Sequence, residues 1–316
     1  MKYQNLQNLV CTLLHVAVLL AFGATPATAE FTQPVTVSMR PYKGARSVVA
    51  VKVNGAGPYD FMVDTGATVT VLDAALFQEL GLRAEGSSQI TSSAGATDQI
   101  LSVVQEITLD SLSARNITVV SMKSPMTGTG YYGVRGILGE NFLRHFDILL
   151  DNQHRRMTLD TGEGLADSLA GEHLPITFPS LPQGGEHRYR PMISVTVQAY
   201  GQASLLLDSG ATTLVLLQWR NRLLASVSGM RLRTVNGSLP CESMSDRVSL
   251  GKGMVSDFRM LKCQSETLKP QDRTGVLPTA IFKQIFISHA GSYAIINPTQ
   301  RGNVPVEMAA VAMVSQ

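Results

Sequence analysis

Two apolar strands of this 316-residue chain end on the same short turn. Phe61-Met62-Val63-Asp64-Thr65-Gly66-Ala67-Thr68 is matched, 144 residues later, by Leu205-Leu206-Leu207-Asp208-Ser209-Gly210-Ala211-Thr212. A carboxylate on a glycine turn is common. Two of them in matching frames constrain the fold far more, because a duplicated half must set its copy of the turn in an equivalent environment. The chain reads as two half-sites, each delivering one acid to a shared centre.

The repeat extends on both sides of the turns. Ser47-Val48-Val49-Ala50-Val51-Lys52-Val53 is a β-branched run, followed by the hairpin signal Asn54-Gly55 and a return strand from Tyr59 to Val63. Met192-Ile193-Ser194-Val195-Thr196-Val197 turns near Tyr200-Gly201 and returns through Ala203 to Leu207. After each Asp turn an apolar strand resumes, Val69-Thr70-Val71-Leu72 and Thr213-Leu214-Val215-Leu216. Short helices are expected over Asp73 to Leu82 and Gln218 to Ala225, then polar hairpins over Thr91 to Thr97 and Thr234 to Ser238. The halves close on Gly136-Ile137-Leu138-Gly139-Glu140-Asn141-Phe142-Leu143 and Gly275-Val276-Leu277-Pro278-Thr279-Ala280-Ile281-Phe282. Many short strands with turn signals every 8–12 residues or so predict an all-β, internally duplicated fold.

A third Asp-Thr-Gly, Asp160-Thr161-Gly162, is an internal control. It runs into Glu163-Gly164 with no apolar strand after it and reads as a linker turn. By composition a chain of this length contains such a tripeptide by chance with a probability of roughly 0.2, so context separates Asp64 and Asp208 from Asp160.

A hydrophobic content of 44% with 16% charge is globular, and the length suits two units of roughly 100–150 residues. The formal charge of +2, with no Lys/Arg run, gives no footprint for nucleic acid or an anionic membrane. Lys2, the apolar run from Leu9 to Ala24 and Thr25-Pro26-Ala27-Thr28-Ala29 form a secretory signal pattern over residues 1–29, too short for a comfortable span; an uncleaved anchor is the alternative. An exported protein, periplasmic or secreted, without stable membrane association is expected. After cleavage Cys241 and Cys263 remain, 22 residues apart: a disulfide in an oxidising compartment, or two buried thiols. The dispersed histidines give no metal-ligand spacing. The expected division is an N-terminal lobe over 30–161, a Gly/Pro/Glu-rich linker over 162–190, a C-terminal lobe over 191–300 and a tail over 301–316 whose apolar stretch, Met308 to Val314, has no assigned place.

Apolar-apolar-Asp-Thr/Ser-Gly-Ala, followed about 70 residues on by Gly136-Ile137-Leu138-Gly139 and a helix, resembles the aspartic proteases of the pepsin and retropepsin superfamily. The first half is most similar to bacterial retropepsin-like proteins, and two halves in one chain are similar to the bilobal pepsin arrangement. The resemblance implies two β-barrel lobes as a pseudo-dimer with a cleft between them, and a monomeric aspartic endopeptidase that cuts peptide or protein substrates without a cofactor. It implies Asp64 and Asp208 as the catalytic dyad, activating a water without a covalent intermediate. Thr65, Gly66, Ser209 and Gly210 would support the active turns, although Thr65 and Ser209 also read as ordinary turn hydroxyls. Ser93, Ala94 and Gly95 fall where the family carries its flap, or form a plain surface hairpin. Ala67 and Ala211 stand where pepsin-like lobes carry a hydroxyl, which implies fewer donors to the carboxylates and an optimum nearer mildly acidic pH. Pro278, in the place of Gly139, sets the second half apart. The alternatives are a two-lobed peptide-binding protein that does not cut, and a homodimer that uses Asp64 alone.

Overall fold

The computed structural model describes residues 33–42, 44–92, 95–123, 133–179, 190–219, 230–234, 237–252 and 254–301. The expected signal segment over 1–29, the flap candidates Ser93 and Ala94, residues 180–189 of the expected linker, residues 220–225 of the second expected helix and the tail beyond 301 lie outside them.

The described residues are predominantly β. The first half comprises β1 (Val35–Ser38), β2 (Arg40–Tyr42), β3 (Arg46–Val53), β4 (Ala56–Val63), β5 (Thr70–Asp73), α1 (Ala74–Glu79), β6 (Gly86–Ser92), β7 (Gly95–Leu109), β8 (Leu112–Met122), β9 (Val134–Leu138), α2 (Glu140–Leu143), β10 (Asp147–Asp151) and β11 (Arg156–Asp160). α3 (Gly164–Ser168), β12 (Leu169–Ala170) and β13 (Leu174–Thr177) follow. The second half comprises β14 (Met192–Val197), β15 (Gly201–Asp208), β16 (Val215–Trp219), β17 (Met230–Thr234), β18 (Gly237–Leu250), β19 (Met254–Ser265), β20 (Thr274–Pro278), a 3-10 turn (Thr279–Ile281), β21 (Gln284–Ser288), β22 (Tyr293–Ile296) and β23 (Thr299–Gln300).

The duplication read in the sequence is a duplication of topology. The first half pairs its strands in the order β3-β4-β9-β5-β8-β7-β6, and the second in the order β14-β15-β20-β16-β19-β18-β17. Each also has one further pairing, β3 with β7 and β14 with β18. The Asp-bearing strand runs parallel to the late strand of its half, β4 with β9 and β15 with β20. That late strand is antiparallel to the strand after the Asp turn, β5 or β16. The late strand is therefore bound on both edges. This sandwiching demands glycine: a Cβ on Gly136 would lie 2.5 Å from the Val71 carbonyl oxygen, and one on Gly275 2.0 Å from that of Val215.

A mixed set of strands joins the halves. β10 pairs with β11 on one side and β21 on the other, with Ile148 opposite Ile287. All five residues of Asp147-Ile148-Leu149-Leu150-Asp151 are buried, as the continuous apolar run of a strand covered on both faces requires. By contrast Met192-Ile193-Ser194-Val195-Thr196-Val197 alternates buried and exposed positions. One core cluster runs from Phe61, Leu72 and Phe142 through Ile148 and Ile287 to Leu205, Leu216 and Leu277.

Two sequence expectations change and two hold. Helix α1 forms within its expected span, capped by Asp73, whose carboxylate accepts from Leu76 N at 2.7 Å. Gln218 and Trp219 instead extend β16, because Gln218 and Trp219 pair in register with Gln264 and Ser265 of β19. The stretch 162–190 is not a bare connection: Leu165, Leu169, Leu174 and Ile176 bury their side chains, and β13 pairs with both β14 and β22. Asp160 is the turn carboxylate expected of it. It is buried and accepts from Gly162 N at 2.9 Å and Leu165 N at 2.7 Å, tying down the start of α3.

Candidate active site

Asp64 and Asp208 end β4 and β15, and the fold brings them face to face. Asp64 accepts from Gly66 N at 2.9 Å and Ala67 N at 3.1 Å; Asp208 accepts from Gly210 N at 2.7 Å and Ala211 N at 2.9 Å. The two turns bond their carboxylates identically. The side chains also share a hydrogen bond with each other.

The glycines have a sharper purpose than admitting N–H donors. A Cβ on Gly66 would stand 2.6 Å from Cγ of Asp208, and one on Gly210 2.6 Å from Cγ of Asp64. Each glycine vacates the space that the opposite half's carboxyl group occupies. The duplicated motif therefore encodes an encounter between halves, not two independent turns.

The hydroxyls of the motif lock that encounter. Thr65 N donates to Ser209 Oγ at 3.1 Å, and Ser209 N donates to Thr65 Oγ1 at 3.0 Å. Thr65 Oγ1 donates to the Leu207 carbonyl at 2.8 Å, and Ser209 Oγ to that of Val63 at 2.9 Å. Both residues are buried, and all four bonds cross from one half to the other. Thr65 and Ser209 are thus not merely local turn hydroxyls. A reciprocal, fully satisfied network of this kind fixes relative position more tightly than apolar contact.

Burial, the largest influence, raises the Asp64 carboxyl above its ordinary range, against the Gly66 N–H, the hydrogen bond with Asp208, the Ala67 N–H and the charge of Arg46. Asp208 is pushed up to about 8, first by burial and then by the negative charge of Asp64. Two carboxyls this close hold one proton between them around neutrality, and the proton belongs to the pair.

The Pro278 departure is matched by changes around it. In the first half Gly139 N donates to Thr70 Oγ1 at 3.2 Å, and Asn141 Oδ1 accepts from the Thr70 amide and hydroxyl at 2.9 and 2.8 Å. Proline has no N–H to give. The positions corresponding to Thr70 and Asn141 are Leu214, which is buried, and Ala280. Donor and acceptors disappear together, and the bonds to Asp208 are as short as those to Asp64.

The polar hairpins fold as matched pairs. β6 and β7 close with Ser92 opposite Gly95, and β17 and β18 with Thr234 opposite Gly237. Cys241 and Cys263 form a disulfide between facing positions of β18 and β19, with Cys241 also opposite Met230 at the foot of the second hairpin.

Four residues near the dyad were not singled out from sequence. Glu140, which follows Gly139, and His289, after β21, form a buried pair with Oε2 and Nε2 2.8 Å apart. His289 Nδ1 lies 2.8 Å from the Phe146 carbonyl oxygen, and Glu140 N donates to the Ala67 carbonyl at 2.7 Å. Burial raises the Glu140 carboxyl, opposed by the charge of His289. Removing one member strands the other in a water-poor interior. His289→Ala is expected to cost about 3 kcal/mol or more in urea denaturation at neutral pH; an unchanged midpoint would contradict that role. The other two are Arg46 and Arg190, separated by the same 144 positions as the aspartates. Arg46 Nε donates across to the Gly210 carbonyl at 2.6 Å. The charge of Arg190 acts on both Asp208 and Asp64.

The sequence profile described as aspartyl protease matches residues 49–142, the segment from β3 through the Asp64 turn to Phe142. No match was found among curated protein sequences. Among solved structures, a retropepsin-like aspartic protease from Rickettsia conorii aligns at 19% identity over 40% of this chain and 92% of that one, with a TM-score of 0.31. The profile match supports a protease function, and it falls on the half that carries the first of the two facing carboxylates. Over that segment this chain is similar to the aspartyl proteases.

Proposed function

We propose that the protein is an exported aspartic endopeptidase whose dyad, Asp64 and Asp208, comes from the two halves of a single chain, arranged as a bilobal pseudo-dimer. The observation that carries this is reciprocal: each motif glycine clears room for the carboxyl of the other half. With one shared proton, the ionised member takes a proton from a water lying between the carboxyls. The protonated member donates to the scissile carbonyl, so negative charge developing on that oxygen meets a donor already in place. Attack gives a tetrahedral gem-diol; returning the proton to the amine nitrogen then breaks the C–N bond. No acyl-enzyme is required.

Thr65 and Ser209 hold the carboxyls in register, and the β6–β7 hairpin, with Gly95 at its described end, acts as the flap over the substrate. The Cys241–Cys263 disulfide supports an oxidising destination, as expected of a chain whose first 29 residues are a secretory signal.

The test is cleavage of a mixed peptide library, with a statine-type inhibitor as control. Inhibitor-sensitive cleavage is expected, and its absence would favour the peptide-binding alternative. The pH profile follows from the shared proton. Activity is lost on the alkaline side as the pair, with Asp208 raised to about 8, gives up the shared proton that donates to the carbonyl. The alkaline limb is expected near pH 8, and the optimum in the mildly acidic to neutral range. A maximum near pH 2 would contradict both.

A further inference from the structure

We propose that Arg190 is a specificity-determining residue that pairs with a substrate carboxylate, so that the enzyme selects peptides with an acidic side chain beside the scissile bond. The inference rests on the endopeptidase reading of the cleft. Its starting point is an inequality within the duplicated site. Arg46 and Arg190 stand in the same frame as Asp64 and Asp208, 18 residues before each. Arg46 spends its Nε on the Gly210 carbonyl of the opposite turn at 2.6 Å. The symmetric bond would run from Arg190 to the Gly66 carbonyl, and among the described residues it is not made. Arg190 Nε is enclosed without an acceptor, while the guanidinium lies within the field of both dyad carboxyls.

An enclosed guanidinium donor without an acceptor is costly, and a ligand that supplies the acceptor recovers that cost. The surroundings of the guanidinium indicate which ligand. Among the described residues the charges acting on Arg190 are those of Asp208 and Asp64, and a dyad holding one proton carries a single negative charge. The Glu140 carboxylate is paired with His289. The missing group is an anion with two acceptor oxygens matching the planar guanidinium fork, which a Glu or Asp side chain provides. Reach sets the position: a residue lying against the dyad from the scissile strand is close to the cleaved bond.

The experiment compares peptides that differ only by Glu or Gln, moved through each position on both sides of the cleaved bond. Wild-type protein is expected to favour Glu at one position by about tenfold or more in kcat/KM, carried mainly by KM. In Arg190→Gln, checked for native near-UV circular dichroism, the ratio should fall towards one. In Arg190→Lys, which keeps the charge but loses the fork, it should fall only part of the way. No discrimination by wild type at any position would overturn the proposal. So would a preference that survives in Arg190→Gln, or an Arg190→Gln variant whose only change is a shifted pH profile. Should no peptide be cut, the endopeptidase reading fails, and anisotropy of the labelled peptides then decides the Arg190 proposal alone. Tighter Glu binding that Arg190→Gln abolishes supports it, and equal binding of the two peptides overturns it.

Discussion

Gly275→Ala is expected to destabilise the protein by about 4 kcal/mol or more, enough to populate unfolded chains at room temperature. The added methyl would stand 2.0 Å from the Val215 carbonyl oxygen and 2.9 Å from Leu205 Cδ2. Neither neighbour can yield. Val215 pairs with Val276 on one side and Leu261 on the other, and Leu205 pairs with Gly275 itself. A backbone atom held between two hydrogen-bonded strands cannot move without breaking both ladders. Gly136→Ala meets the same arrangement at Val71 and the buried Phe61 ring, and a loss of similar size is expected. Urea denaturation of both variants is the check. Stability within about 1 kcal/mol of wild type would mean that β20 or β9 does not thread between its two neighbours as described.

Asp64→Asn and Asp208→Asn are each expected to lower kcat/KM by at least about 10³-fold while the far-ultraviolet spectrum stays native. Asparagine retains the oxygen that accepts from the two turn N–H groups, so the loss reports proton handling and not collapse of the turn. Stability should move the other way. A carboxyl whose folded pKa is raised stabilises the fold fully below its unfolded value near 4. That contribution fades as pH rises towards the folded value of about 8. Asp208→Asn removes a group the fold holds uncharged at a cost, so it should gain about 1–3 kcal/mol over wild type near pH 8 and nothing near pH 4. An inactive variant more stable only at high pH identifies a strained charge pair. A variant equally destabilised at both pH values would instead indicate damage to the turn.

What the sequence made legible was the duplicated part. Asp64 and Asp208, the strands around them, the hairpins and the late strands all recur in order, and a recurring order survives local ambiguity. The 144-residue frame also contained Arg46 and Arg190, which a comparison of the two halves position by position would have found. Glu140 and His289 carry no such signal. They lie 149 residues apart, and the position matching Glu140 is Thr279, so only the packed structure pairs them. The role of Gly66 and Gly210 was half legible: a turn glycine is visible in any sequence, but the carboxyl it makes room for belongs to the other half. Gln218 and Trp219 favoured a helix by analogy with α1, and pairing with β19 overrode it. Gly and Pro punctuation across 162–190 hid four apolar side chains that the interior takes up.

Tight-binding titration with a statine-type inhibitor, counted against chain concentration, tests the intrachain dyad most directly. The account predicts one inhibitor bound per chain in the wild type, with binding lost in both Asp64→Asn and Asp208→Asn. One inhibitor per two chains, with Asp208→Asn still binding, would contradict it and assign the site to two copies of Asp64.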